Sequence, residues 1–266
     1  MAIYYLVLLV FGLVFIRVVL FRILEPAYML VFNKPLYIYW YPLLRKLQPN
    51  QKQILVSEFP FFKKLSNKKQ NYFEHRVKTV INHYQFIGND GVEVTNEMKI
   101  IIAGTYVMLT FGMRNYLVTL FTKIIIYPSI YFSKAHDQNH KGEFNPLMKA
   151  IVFSWEDFLL GHKTANDNLN LGVHEFSHVL HFHCLKSNDS SAIIFYDEFK
   201  KISNYFLDTN LNKQLLATGY FRDYAYTNQF EFLAVVLEHY FETPIEFKQR
   251  FPEMYGTISL MLNHKH

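Results

Sequence analysis

Residues 1–21 read MAIYYLVLLVFGLVFIRVVLF, an apolar run interrupted only by Arg17 and ended by Arg22. About 20 apolar residues in a helix span a bilayer core. Arg17 lies near one end, where its stem can reach the interface, and Tyr4 and Tyr5 lie at the other, where amphipathic rings are favoured. The stretch 27–44, AYMLVFNKPLYIYWYPLL, is broken by Pro35 and Pro42 and reads as an interfacial segment, not a second span. Beyond SNKKQ (66–70) the pattern becomes helical. Phe73, Val77, Val80, Ile81 and Tyr84 recur at helical spacing among polar residues. GNDG (88–91) signals a turn, and Thr95 opens a second helix that runs to about Met113. KIIIYPSIYF (123–132) and KAIVFSW (149–155) predict strands, with Pro128 demoting the first to an edge or bulged strand. Between them, AHDQNHKGEFNP (135–146) predicts a loop, with His136 and His140 solvated. From Leu169 the segments 169–185, 191–208, 228–242 and 244–263 read as helices.

These elements predict an α+β domain, mainly helical, with a small strand pair among five or six helices. The expected division is an anchor at 1–24, an interfacial or linker segment at 25–65 and one domain at 66–266.

Charge changes the picture at the N-terminus. Residues 1–83 carry twelve Lys/Arg against three Asp/Glu, whereas 84–266 carry fifteen against nineteen. A basic excess beside an apolar stretch suits an anionic membrane surface. No helix-turn-helix or RNA-binding signature supports a nucleic-acid partner. The run lacks the basic start and Ala-x-Ala site of a cleaved signal peptide, so an uncleaved transmembrane helix is expected. The positive residues follow the span, which places the C-terminal part in the cytoplasm. The one cysteine, Cys184, allows no intrachain disulfide and no thiolate-rich zinc site.

NLGVHEFSHVLHFHC (170–184) holds four histidines. His174 and His178 are separated as H-E-x-x-H, which on a helix puts them about 40° apart, one turn from each other. Two imidazoles so placed can ligate one zinc ion, and Glu175, about 100° round, can reach a water beside it. With three protein ligands such a zinc activates that water, and Glu175 serves as general base. His181 lies about 20° off the same face, while His183 is about 180° away. An exposed His/Glu face on a structural helix is the plainer alternative. A third ligand can come from YAYTNQFEFLAVVLEHYFETP (224–244), which offers Glu231, Glu238, His239 and Glu242 behind the N-cap candidate Asn228. Glu231 and Glu238 share one helix face, and an acid on an apolar face needs a partner such as a metal. For Glu231 a first-turn carboxylate favoured by the helix dipole is the alternative.

An ordered series of segments resembles the Mlc titration factor A family of zinc-dependent peptidases. The catalytic part is similar to the metalloprotease domain of anthrax lethal factor. The matching stretches are FEHRVKTVI followed by F and G (73–88), VTNEMKIIIAG (94–104), the YP of IIIYPSIYF, FSWEDFLLG (153–161), NLGVHEFSH (170–178), the 224–244 segment and FKQRFPEMY (247–255). The resemblance implies a zincin-like metallopeptidase domain acting on peptides or proteins. It implies His174, His178 and Glu231 as zinc ligands, Glu175 as general base and Tyr224 near the site. Tyr224 can donate its hydroxyl to the developing oxyanion, or merely pack. Glu238 can orient a zinc-bound imidazole, or serve only a salt bridge. Relatives tend to carry an acid where this chain has His181, and many lack a membrane anchor.

Three functions compete. The first is a zinc peptidase. The second is a membrane-anchored binding protein that sequesters a transcriptional repressor in the cytoplasm, as the family name suggests. The third is a structural zinc site closed by a fourth ligand such as His181. If KAIVFSW is an exposed edge near the histidines, an extended peptide can add to it as a strand. The topology expectation has a direct check: protease added outside intact cells should leave the C-terminal domain whole, and its removal would reverse the orientation.

Overall fold

The apolar N-terminal run forms one continuous helix, longer than the predicted anchor. In this computed structural model, which describes residues 1–133, 137–164 and 166–264, α1 (Ala2–Val19) passes through a π-helical turn (Leu20–Leu24) into α2 (Glu25–Phe32). The whole stretch Ala2–Phe32 is apolar and long enough to cross a membrane, and its spanning window buries nothing against the rest of the chain. Asn33, in the left-handed region at φ 47°, ends it. Glu25, 3% exposed, ties the helix end to the domain through an ion pair with Arg114.

The chain continues through α3 (Pro49–Glu58), α4 (Pro60–Lys64), α5 (Asn67–His83), β1 (Gln85–Gly88) and α6 (Asn96–Thr110). Then come β2 (Lys123–Tyr127), β3 (Tyr131–Ser133), β4 (Gln138–His140), β5 (Gly142–Asn145), β6 (Ala150–Ser154) and α7 (Trp155–Lys163). The rest is helical: α8 (Leu171–Lys186), α9 (Ser190–Leu207), α10 (Thr209–Ala217), α11 (Gln229–Glu242), α12 (Pro244–Arg250) and α13 (Pro252–Met261). The α+β, mainly helical class holds. Residues 25–65, read as interfacial or linker, send Leu47, Leu55, Phe59 and Phe62 into the core.

The sheet is larger than a strand pair. Four strands lie in the order β1-β2-β6-β5, with β1, β2 and β6 parallel and β5 antiparallel to β6. So the KAIVFSW strand is not an edge. All five residues of β6 are buried between two neighbours, as its unbroken apolar run requires. The edges are β1 and β5, and β5 lies inside the stretch expected to be a loop. β3 and β4 form a separate antiparallel pair, with Tyr131 opposite His140. Pro128 does divide the first predicted strand, since β2 stops at Tyr127 and β3 begins at Tyr131. Two helices also differ from expectation. Pro252 restarts the 244–263 segment as α13, a natural first-turn position for proline. α10 was not anticipated; Asp208 caps it by accepting from Asn210 and Leu211.

α8 runs through the interior, touching α6, α7, α9, α11 and β5. Phe176 packs edge-on against Tyr106 of α6 and Phe153 of β6, with ring centroids 5.0 and 5.4 Å away. Gly172 lets the helix start approach closely: a Cβ there would lie 2.6 Å from the Phe158 ring. α6 is held from its C-terminal end. Arg76 of α5, fully buried, donates to the carbonyls of Thr110, Phe111 and Met113. A cation there satisfies terminal carbonyls and suits the helix dipole. Replacing Arg76 with Met keeps the bulk but removes those donors. It should cost about 3 kcal/mol, read as a lowered melting temperature of the full chain in detergent; an unchanged melt would deny Arg76 this role.

Candidate metal centre

Two capped helix starts bring the cluster together. Asn170 Oδ1 accepts from Val173 N at 3.0 Å and fixes the first turn of α8, which carries His174 and His178 one turn apart. Asn228 Oδ1 accepts from Phe230 N and Glu231 N at 2.9 and 3.0 Å, so Glu231 sits in the first turn of α11. The two helices pack against each other. One ligand atom each from His174, His178 and Glu231 then lies within 4.8 Å of the other two. Glu231 Oε2 is 3.0 Å from His174 Nε2, and Glu231 Oε1 is 3.5 Å from His178 Nε2. The two Nε2 atoms are 3.3 Å apart.

The other nitrogen of His174 has its own partner. Nδ1 lies 2.9 Å from Glu238 Oε1, and Glu238 is 1% exposed. Both acids of the α11 face therefore meet one imidazole, one at each ring nitrogen. Arg222 closes the far side of Glu238, with Nη1 2.5 Å from Oε2 and Nη2 3.1 Å from Oε1. Burial alone would lower the His174 pKa. Its bonds to Glu231 and Glu238 outweigh that and lift it to about 10. Burial would raise Glu231, but His174 and His178 hold its carboxyl far below the usual range. Without a cation, a proton on His174 serves the charge balance that a cation would otherwise provide.

Glu175 is buried, and its carboxyl is pushed up by burial, with His174 and His178 pulling the other way. It lies against β5. A Cβ on Gly142 would fall 2.8 Å from Glu175 Cγ and from Oε1, so only glycine lets the strand pass this carboxylate. Tyr224, about half exposed, has its ring centroid 5.8 Å from that of His174. Burial, then the charge of Glu231, moves its phenol up to about 12.

The remaining candidates fall elsewhere. His181 is buried with its ring 4.3 Å from Phe199 and 4.7 Å from Phe230, beside a cavity of about 300 Å³. It is not part of the three-residue group, so four-fold closure by His181 has no support among the described residues. His183 is also apart from it. Glu242 accepts from Asn170 Nδ2 at 3.1 Å, and His239 packs tilted against Tyr220 and edge-on against Phe221. His136 lies outside the described residues. His140, expected in solvated loop, sits half-buried on β4, close enough for its charge to lower the Glu175 pKa. Arg222 escaped the sequence reading. Its only signal was a lone cation in FRDYAY, two residues before Tyr224.

Fold and cluster together define a zincin-like peptidase domain with a two-histidine, one-carboxylate group at its centre. The chain belongs to the glucose-regulated metallo-peptidase M90 family, whose pattern matches residues 43–262. It is also 24% identical over 238 residues to an uncharacterised protein of Synechocystis sp. (strain ATCC 27184 / PCC 6803 / Kazusa), covering 80% of this chain and 83% of that one. The resemblance to the Mlc titration factor A family of peptidases is thereby borne out. Membership carries a metal and peptide or protein substrates.

The raised pKa of His174 has a signed consequence for the metal-free protein. A basic group lifted from 6.5 to about 10 stabilises the fold fully below 6.5 and loses that contribution as pH rises toward 10. Glu242, raised to about 7, is half ionised at pH 7 and adds its own, smaller loss until about pH 8. Between pH 7 and 9 the metal-free chain should lose at most about 1.4 kcal/mol per pH unit from His174. Denaturant melts at the two pH values check it, with H174Q expected to flatten the slope.

Proposed function

We propose that this chain is a membrane-anchored zinc peptidase, with its anchor in the helix Ala2–Phe32 and a cytoplasmic catalytic domain over about 43–262. His174, His178 and Glu231 would hold the zinc. The donor set supports this: two imidazole nitrogens and one carboxylate suit zinc and leave a fourth position open. The observation that carries the reading is the convergence of those three ligand atoms within 4.8 Å, with Glu175 alongside. Zinc held there would supply a Lewis acid able to polarise a peptide carbonyl and lower the pKa of water to about 7.

The chain's own groups do the rest. Glu175 takes the proton from the attacking water and passes it to the leaving amine. Its buried position keeps the carboxylate basic enough for the first step. Tyr224, with its phenol neutral at physiological pH, donates a hydrogen bond to the oxygen on which charge develops. Glu238 fixes the orientation and tautomer of His174 from the far side of the ring. An extended substrate adds to the outer edge of β5, which pairs with β6 on its other side and passes directly beside Glu175.

Replacing Glu175 with Gln should leave bound zinc at the wild-type stoichiometry and lower peptide hydrolysis by at least about 100-fold. Metal content by emission spectroscopy and cleavage of a peptide library give the two readings. Full activity in E175Q would remove the assignment. Treatment with chelator should abolish wild-type cleavage, and added zinc should restore it.

A further inference from the structure

Arg222 lies at the junction of three segments that meet at the metal centre. It precedes the short 3₁₀ turn Asp223–Tyr226, which carries Tyr224. Its guanidinium grips both oxygens of Glu238 on α11. Nη1 also donates to the Asn168 carbonyl, two residues before the N-cap of α8. Asn168 is held in turn by Thr243 at the end of α11, whose hydroxyl donates to Asn168 Oδ1 at 2.9 Å.

We propose that Arg222 is a positioning residue for the metal centre, acting on His174 through Glu238. This rests on the zinc reading above. The geometry has a direction. Glu238 Oε1 faces both His174 Nδ1 and Arg222 Nη2, and its Oε2 is taken by Arg222 Nη1. A two-pronged guanidinium fixes the plane of a carboxylate, which a point charge cannot do. With that plane fixed, Oε1 holds the imidazole so that Nε2 faces Glu231 and His178. The same side chain sets the start of α8 and the turn bearing Tyr224, so ligand and phenol are aligned by one contact.

Charge alone argues the other way, and this makes the idea testable. A guanidinium near a dication repels it, so an Arg kept only for its charge would weaken zinc binding. Its benefit to the site must be orientation. Lysine separates the two effects, because R222K keeps the charge and loses the fork.

The experiment measures zinc affinity of the full chain in detergent by competition with a chromophoric chelator, well below the melting temperature. The variants are R222K, E238Q and the double variant. R222K should bind zinc about tenfold more weakly, at the low end for partners of ligating histidines. E238Q should lose at least as much, and adding R222K to E238Q should change little, since the route through the carboxylate is already cut. R222K within twofold of wild type would overturn the proposal. So would an R222K effect of equal size in the E238Q background, which would mean that Arg222 acts without Glu238. If R222K does not fold, R222Q takes its place. It too should bind zinc more weakly, although removal of the charge by itself predicts tighter binding; tighter or equal binding refutes positioning. A wild-type chain that binds no zinc overturns the underlying reading and this proposal with it. Tight wild-type binding with an unaffected R222K overturns only this one.

Discussion

The imidazole of His174 is buried between two carboxylates, Glu231 at Nε2 and Glu238 at Nδ1. Carboxylates in such a place are costly unless a positive charge and hydrogen bonds meet them. That requirement organises the surroundings. α11 must lie against α8 with its acidic face turned inward. Arg222 must approach Glu238 from behind. The turn that follows Arg222 then brings Tyr224 to the open side, where it is half exposed. A metal or a proton completes the balance at the centre, and the high pKa of His174 expresses the same demand.

The scaffold holds this arrangement through contacts well away from it. α8 is wedged among four helices and a strand, and Gly172 permits the closest of these approaches. Asn170 caps α8 and also reaches Glu242 at the end of α11, so the two helices are joined at a second point. Arg76 fixes the end of α6, against which α8 packs. On the other flank Gly142 lets β5 pass beside Glu175 with its outer edge unpaired by β6. Among the described residues, β5 is the strand that passes beside this carboxylate.

Much of this was legible beforehand. The helical period gave α5, α6, α8, α9 and α11 because their apolar faces repeat over three or more turns. The spacing of His174 and His178 placed both on one face of one helix, and the seven-residue separation of Glu231 and Glu238 did the same on another. The misses have physical causes. β4 and β5 are only three and four residues long and largely polar, so they carry too little alternation to be read as strands. The conditional reading of β6 as an exposed edge fails, because its continuous apolar run means burial on both faces. Arg222 looked like any surface cation, because nothing local marks a residue whose partner is 16 positions away.

The sequence by itself determined the apolar N-terminal helix, the mainly helical domain, the two-histidine helix and the acidic face of α11. These follow from local periodicity and capping, which a chain carries wherever it goes. Tertiary structure alone decided which acid meets which nitrogen of His174, that His181 turns into an aromatic cavity, that β5 is the strand beside Glu175, and that Arg222 holds Glu238. Those outcomes depend on how distant helices and strands are brought into register by packing. Spacing along one element says which face a side chain is on, and only the neighbouring elements say what that face meets.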